Sequence, residues 1–242
     1  MSILLCAALL PPLFLMVTIY RMDKIESEPV GLIVKLIIFG AIACIPACIL
    51  EVVGINIVSG IFSPTSVIGI AITNFLVVAL AEEFMKRFFL KRITWNSPEF
   101  DYRFDAVVYA VSVSLGFAAL ENVLYVFSGE YFSQAMSIAG TRAFISIPGH
   151  CIFGIFMGYY YGLAKYASKI GDAERERHFN RMSLFVPVIL HGFFDFALSL
   201  NSSVMSVIFL IYVIIMDIIA IRSIRKYARE DEQIDPREKE LF

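Results

Sequence analysis

The feature that most constrains this chain is its division into seven long apolar blocks with short polar breaks between them. The blocks cover roughly residues 3–20, 30–50, 66–90, 105–127, 141–167, 183–200 and 204–224. Each is close to the length an α-helix needs to cross about 30 Å of hydrocarbon at about 1.5 Å per residue. Lipid offers the backbone no hydrogen-bond partners, so such blocks must be helical. Several end at turn-rich stretches: Ser63-Pro64-Thr65, Trp95-Asn96-Ser97-Pro98 and Asn201-Ser202-Ser203. Apolar residues make up 59% and charged ones 17%, against about 45–50% and about 25% in a soluble domain. The expected fold is all-α, a polytopic transmembrane helical bundle. It forms one domain over residues 1–228, and a charged cytoplasmic tail over 229–242 is expected to be mobile or surface-bound. The segment 131–138 is mildly apolar and reads as a short interfacial helix, which would bring the count to eight. Residues 1–20 contain no Lys or Arg, so the first block reads as a retained helix and not a cleaved signal peptide.

Basic residues set the expected orientation. Of the 20 Lys and Arg, 18 lie at or after the ends of blocks one, three, five and seven; Lys35 and Arg142 are the exceptions. A seven-span chain puts all 18 on one side, which the positive-inside rule makes cytoplasmic, with the N-terminus outside. A net charge of −2 argues against nucleic acid as a partner; the lipid bilayer is the partner the composition demands. The cysteines at 6, 44, 48 and 151 sit inside apolar blocks and form no CxxC pair, so they carry no redox signal.

Against this background the polar residues at membrane depth stand out. An ionisable side chain there costs at least about 2.5–3.5 kcal/mol on insertion scales and marks a functional site by default. Block three carries Glu82-Glu83-Phe84-Met85-Lys86, block four Glu121-Asn122, block five Pro148-Gly149-His150, and block six His191 and Asp195. His191 and Asp195 are four apart and share a helix face, so the carboxylate can orient the imidazole or both can ligate a metal. Glu82 and Lys86 have the same spacing, and Glu83 is three residues from Lys86 and four from Arg87. Two carboxylates in a poorly solvated site do not both ionise cheaply, which suits one of them to proton transfer near neutral pH. Each motif alone has a bland reading. The Glu-Glu-x-x-Lys run is compatible with a solvated interfacial pair whose lysine snorkels, and a single histidine with a helix–helix hydrogen bond. Four constellations on successive helices are much harder to explain that way. Gly154, Gly158 and Gly162 form one smooth stripe that allows close helix approach, with His150 one turn earlier on the same face. Ala110, Ser114, Ala118 and Asn122 form a similar stripe on block four.

Taken in order, Glu82-Glu83-x-x-Lys86, Phe117-x-x-x-Glu121-Asn122, Gly149-His150 and His191-x-x-x-Asp195 resemble the PrsW family of intramembrane proteases over about residues 75–200. More distantly the pattern is similar to CAAX prenyl endopeptidases and bacteriocin-processing proteases. Arg87 fits the CAAX pattern, but Glu121 stands where those enzymes carry His, which puts prenyl-protein processing in doubt. The resemblance implies a bacterial cell-membrane endopeptidase. Its partner would be a single-pass membrane substrate, an anti-sigma factor, whose first-site cleavage activates an extracytoplasmic-function sigma factor in a stress response.

For peptide hydrolysis we expect Glu82, or Glu83 in its place, to deprotonate water, with the other glutamate paired to Lys86. His150 and His191 would orient the water or donate to the oxyanion, Asp195 would hold His191, and Glu121 and Asn122 would complete the polar wall. In a metal-dependent form, Glu121, His150 and His191 (or Asp195) would ligate a divalent ion such as Zn2+ and Glu82 would act as base; no HExxH is present. These residues need not be level along straight helices, so tilted or broken helices are expected to bring them together, with Gly116 and Pro148-Gly149 as places for a bend. The competing classes are a proton- or cation-coupled carrier, although no repeated halves are visible, and a non-enzymatic scaffold.

Overall fold

Seven helices long and apolar enough to span a membrane run through the computed structural model, which describes residues 2–128 and 131–235. They are α1 (Ser2–Tyr20), α2 (Val30–Ile61), α3 (Val67–Thr94), α4 (Asp105–Phe127), α5 (Phe132–Lys169), α6 (Ala173–Ser199) and α7 (Ser203–Arg229). The segment expected to be a separate interfacial helix is instead the first part of α5, so among the described residues the count stays at seven. Two stretches leave α-helical geometry for π-helix, Thr73–Ala79 in α3 and Arg142–Ser146 in α5. A π turn inserts an extra residue and so rotates everything after it, and such turns gather at functional sites. They stand a few residues before Glu82 and His150.

α4 is the axis of the bundle. Nearly every residue from Asp105 to Ala118 is buried, as expected for a helix apolar all round and surrounded by others. α5 lies against it along the glycine stripe. A Cβ on Gly158 would come within 2.5 Å of Ala106 O and Val107 Cα, and one on Gly162 within 2.7 Å of Arg103 O. In lipid, where apolar burial does not drive helices together, such close packing is a main source of association. Gly116 is not a bend; a Cβ there would meet Ile37 O at 2.2 Å, so it admits α2. α1 and α7 sit at the periphery with most of their apolar surface turned outward.

Asn122 has a structural task. Pro12 inside α1 has no N–H to give to Ala8 O, and Asn122 Nδ2 donates to that carbonyl at 2.7 Å. Asn122 therefore ties α4 to α1 and does not itself line the space where a polar wall was expected.

The end of the bundle that carries the basic residues is closed by loops. Tyr161 is fully buried there and hydrogen-bonded to Thr94. The first part of the tail is held in place: Ile234 is buried, its N–H donates to Asp101 O at 2.6 Å, and Arg103 N–H donates to Glu232 O at 3.0 Å. Residues 230–235 thus dock on the bundle, and the rest of the tail lies outside the described residues.

Candidate active site

The π segment of α3 turns the following stretch so that Glu82, Glu83 and Lys86 all face inward, each buried. Lys86 does not snorkel. It has no exposed surface, its Nζ sits 4.2 Å from the centre of the Phe117 ring, and it lies 3.0 Å from Glu82 Oε2, 2.7 Å from Glu83 Oε1 and 3.1 Å from His150 Nδ1. One ammonium therefore pairs with both glutamates, where the expected pairing was with one.

His150 is held from the other side. Its Nε2 lies 2.8 Å from Glu121 Oε2, and Arg142 brings a guanidinium nitrogen to 2.8 Å from the same oxygen. Arg142 also donates from Nε to Asn122 Oδ1 at 2.9 Å. The backbone around His150 is fixed by Ser114, whose hydroxyl donates to His150 O at 2.7 Å. His191 has the same arrangement: Nδ1 is 2.9 Å from Glu83 Oε1, and Nε2 is 3.1 Å from Asp195 Oδ2. Its ring stacks on Phe153 at 4.8 Å, and the two imidazoles are 5.4 Å apart and nearly perpendicular. The structure thus brings Glu82, Glu83, Lys86, Glu121, His150, His191 and Asp195 into one connected network drawn from four helices.

A cavity of about 690 Å³ opens beside this network, lined among others by Glu82, Glu121, Arg142, His150, His191 and Asp195. Glu83 is not in its wall. The lining comes from the second halves of α2, α4 and α6 and the first halves of α3 and α5, so the mouth faces the end of the bundle opposite the basic clusters. Three residues that sequence reasoning passed over also reach this space. Glu51 lies just beyond the expected end of the second block, but α2 continues to Ile61 and carries it into the cavity wall; its Oε1 is buried without a partner. Arg142 reads in sequence as a lone basic residue on the sparsely charged side. Asn74 lies in the π segment and donates to Ser199 Oγ at 3.2 Å. The intramembrane position of Glu51 was the one signal that could have flagged it. Cys151 is buried and does not line the cavity.

The model of a family described as "PrsW family intramembrane metalloprotease" matches residues 28–221. The chain belongs to the PrsW family. Among PrsW relatives, a protein named Protease PrsW from Oceanobacillus iheyensis is 33% identical over 223 residues, covering 92% of this chain and 95% of that one. Proteins of the same name from Clostridioides difficile and Bacillus subtilis are 31% and 30% identical, covering 94% and 84% of this chain and 92% and 86% of theirs. No solved structure matches the chain. The protein is therefore a membrane-embedded protease of the PrsW family, and the match extends well beyond residues 75–200, from α2 into α7.

The PrsW description includes a metal, and the donors here suit one. Glu82, Glu83 and His150 each bring a ligand atom within 4.8 Å of the others, and His191 Nδ1 faces the same two glutamates at 2.9 and 3.9 Å. His150 presents Nδ1 to this point while Glu121 holds Nε2, the outer-shell arrangement that orients a ligating histidine; His191, held at Nε2 by Asp195, stands beside it against Glu83. Glu83 Oε2 is buried with no hydrogen-bond partner. Glu121, expected among the ligands, stands behind His150 instead, and Glu83 takes its place beside the imidazoles. The Lys86 ammonium lies where these donors converge, so a metal ion and Lys86 are alternative occupants of one position.

Proposed function

We propose that the protein makes the first cut in a single-pass membrane protein, an anti-sigma factor, at the extracytoplasmic side of the bilayer. That cut would activate an extracytoplasmic-function sigma factor in a stress response. The observation that carries this reading is the cavity over the Glu82–Lys86–His150 network, opening at the end opposite the basic residues. By the positive-inside rule that end is outside, with the N-terminus there and the C-terminus in the cytoplasm. The names of the PrsW relatives support proteolysis, and the resemblance that motivates an anti-sigma factor as substrate is to the same family.

Glu82 is the general base in this reading. It is the member of the glutamate pair that lines the cavity, whereas Glu83 has no exposed surface and is held by Lys86 and His191. Glu82 takes the proton from a water in the cavity and passes it to the leaving amine. His150 and His191 flank the reacting carbonyl, each locked in orientation by a carboxylate, Glu121 or Asp195. Arg142 holds Glu121 and places positive charge in the cavity wall. Glu83, His150 and His191 would hold a divalent ion such as Zn2+, a two-histidine, one-carboxylate set found in catalytic zinc sites. When bound, such an ion supplies Lewis-acid polarisation of the scissile carbonyl.

The test is the Glu82→Gln variant in proteoliposomes with a single-pass substrate, alongside metal analysis. Intact substrate should accumulate while the variant remains folded, and wild type should lose cleavage on chelation and regain it with Zn2+. If Glu82→Gln still cut the substrate and lost an ion flux instead, the carrier reading would replace this one.

A further inference from the structure

A second cluster of acidic side chains lies at the basic end of the bundle, away from the cavity. Asp23 and Glu28 come from the α1–α2 loop and Asp105 from the first turn of α4; they are 7%, 4% and 1% exposed. Each offers a carboxylate oxygen, and the three oxygens lie within 4.8 Å of one another. Two oxygens bound to one Ca2+ at about 2.3–2.6 Å lie at most about 5 Å apart, so the spacing suits a shared hard cation.

Glu28 and Asp105 hydrogen-bond to each other and Asp23 accepts from the backbone N–H groups of Ile25 and Glu26, but these contacts bring no positive charge. Asp105 Oδ2 accepts from the backbone N–H groups of Asp101 and Tyr102 at 3.1 and 2.7 Å. The Tyr109 hydroxyl lies 2.5 Å from Glu28 Oε2 and 2.8 Å from Glu99 O. Asp23 Oδ2 is buried and meets no donor. No Lys or Arg forms an ion pair with any of the three among the described residues. The titratable groups nearby are also acidic: Asp101 and Asp231 from the loop and tail packed here, and Glu26 in the same loop as Asp23. Burial, with Asp231 adding to it, raises Asp23 to about 6, and burial likewise raises Glu28. Holding three such groups together without a cation is costly.

We propose that Asp23, Glu28 and Asp105 form a binding site for a hard divalent cation, Mg2+ or Ca2+, separate from the catalytic network. The cation clamps the α1–α2 loop to the start of α4. The tail is drawn into the same brace, since Phe104 N–H donates to Asp231 Oδ1 at 2.8 Å and Ile234 pairs with Asp101.

The experiment uses full-length protein in detergent, stripped with chelator and titrated separately with Mg2+ and Ca2+ by calorimetry, with the unfolding temperature followed in parallel. Wild type should show one saturable site for at least one of the two ions and an upward shift in unfolding temperature. Glu82→Gln, which alters only the other site, should keep both. Asp23→Asn should weaken binding at least tenfold and abolish the shift. If Asp23→Asn does not fold, Glu28→Gln carries the same comparison. The proposal is overturned if wild type binds neither ion up to about 10 mM, beyond the range of weak calcium modules. It is also overturned if Asp23→Asn binds as tightly as wild type, or if neutralising Asp23 stabilises the protein equally with and without cation. The last result would mean that the three groups share protons.

Discussion

Replacing Lys86 by Met keeps most of the side-chain volume and deletes one charge from the centre of the buried Glu–His network. In the wild type that charge touches Glu82 at 3.0 Å, Glu83 at 2.7 Å and His150 at 3.1 Å, and it has no exposed surface. Removing one partner from a buried ion pair leaves an uncompensated charge and costs about 3–5 kcal/mol, which is about 10²–10⁴-fold in the unfolding equilibrium. Solvent cannot screen the loss, because Glu83 has no exposed surface either. The loss should be specific to charge, so Lys86→Met with Glu83→Gln should recover most of it in a double-mutant cycle. A divalent ion should do the same for Lys86→Met alone if it can take the ammonium's place. The assay is equilibrium unfolding in detergent, with chelator and then with added Zn2+, for wild type, both single variants and the double variant. The reasoning fails if Lys86→Met in chelator lies within about 1 kcal/mol of wild type, the value expected for a solvent-screened pair. It also fails if Glu83→Gln makes Lys86→Met worse.

Other outcomes follow from single contacts. Asp195→Asn removes the carboxylate on His191 Nε2 and should lower metal affinity or turnover by about 10–100-fold, read by metal titration and by cleavage rate with fold intact. Asn122→Ala leaves Ala8 O without a donor and should cost about 1–3 kcal/mol in unfolding; Asn122→Ala with Pro12→Ala should recover much of that, because residue 12 then supplies its own N–H. Gly158→Leu places a Cβ within 2.5 Å of the α4 backbone and should separate α4 from α5, lowering the unfolding temperature and cleavage together; a scan of detergent-solubilised protein would show whether it does.

Much of this was legible in the residues because hydrocarbon imposes length and polarity so strictly. The blocks gave seven spans, the four-residue spacing placed Asp195 against His191, and the glycine stripe pointed His150 inward. What escaped was what periodicity cannot see. The π segments at Thr73–Ala79 and Arg142–Ser146 shift the phase of everything after them, so the faces of Glu82 and His150 and the levelling of the site could not be read from straight helices. Glu51 escaped because hydropathy ended the second block at Leu50, whereas the helix runs on to Ile61. Lys86 escaped because a lysine near a helix end usually reaches water, and only the carboxylates and the Phe117 ring around it explain why it does not. The task of Asn122 is invisible in its own helix, because nothing there reveals a proline-freed carbonyl on α1.

Mass-spectrometric mapping of the peptide bonds cut in a reconstituted single-pass substrate tests most directly that the buried network is a hydrolytic site facing outward. The arrangement predicts a bond in the outer part of the substrate's span, cut by wild type and left whole when His150 is changed to Ala. A cut confined to the cytoplasmic end, or one that survives loss of His150, would contradict it.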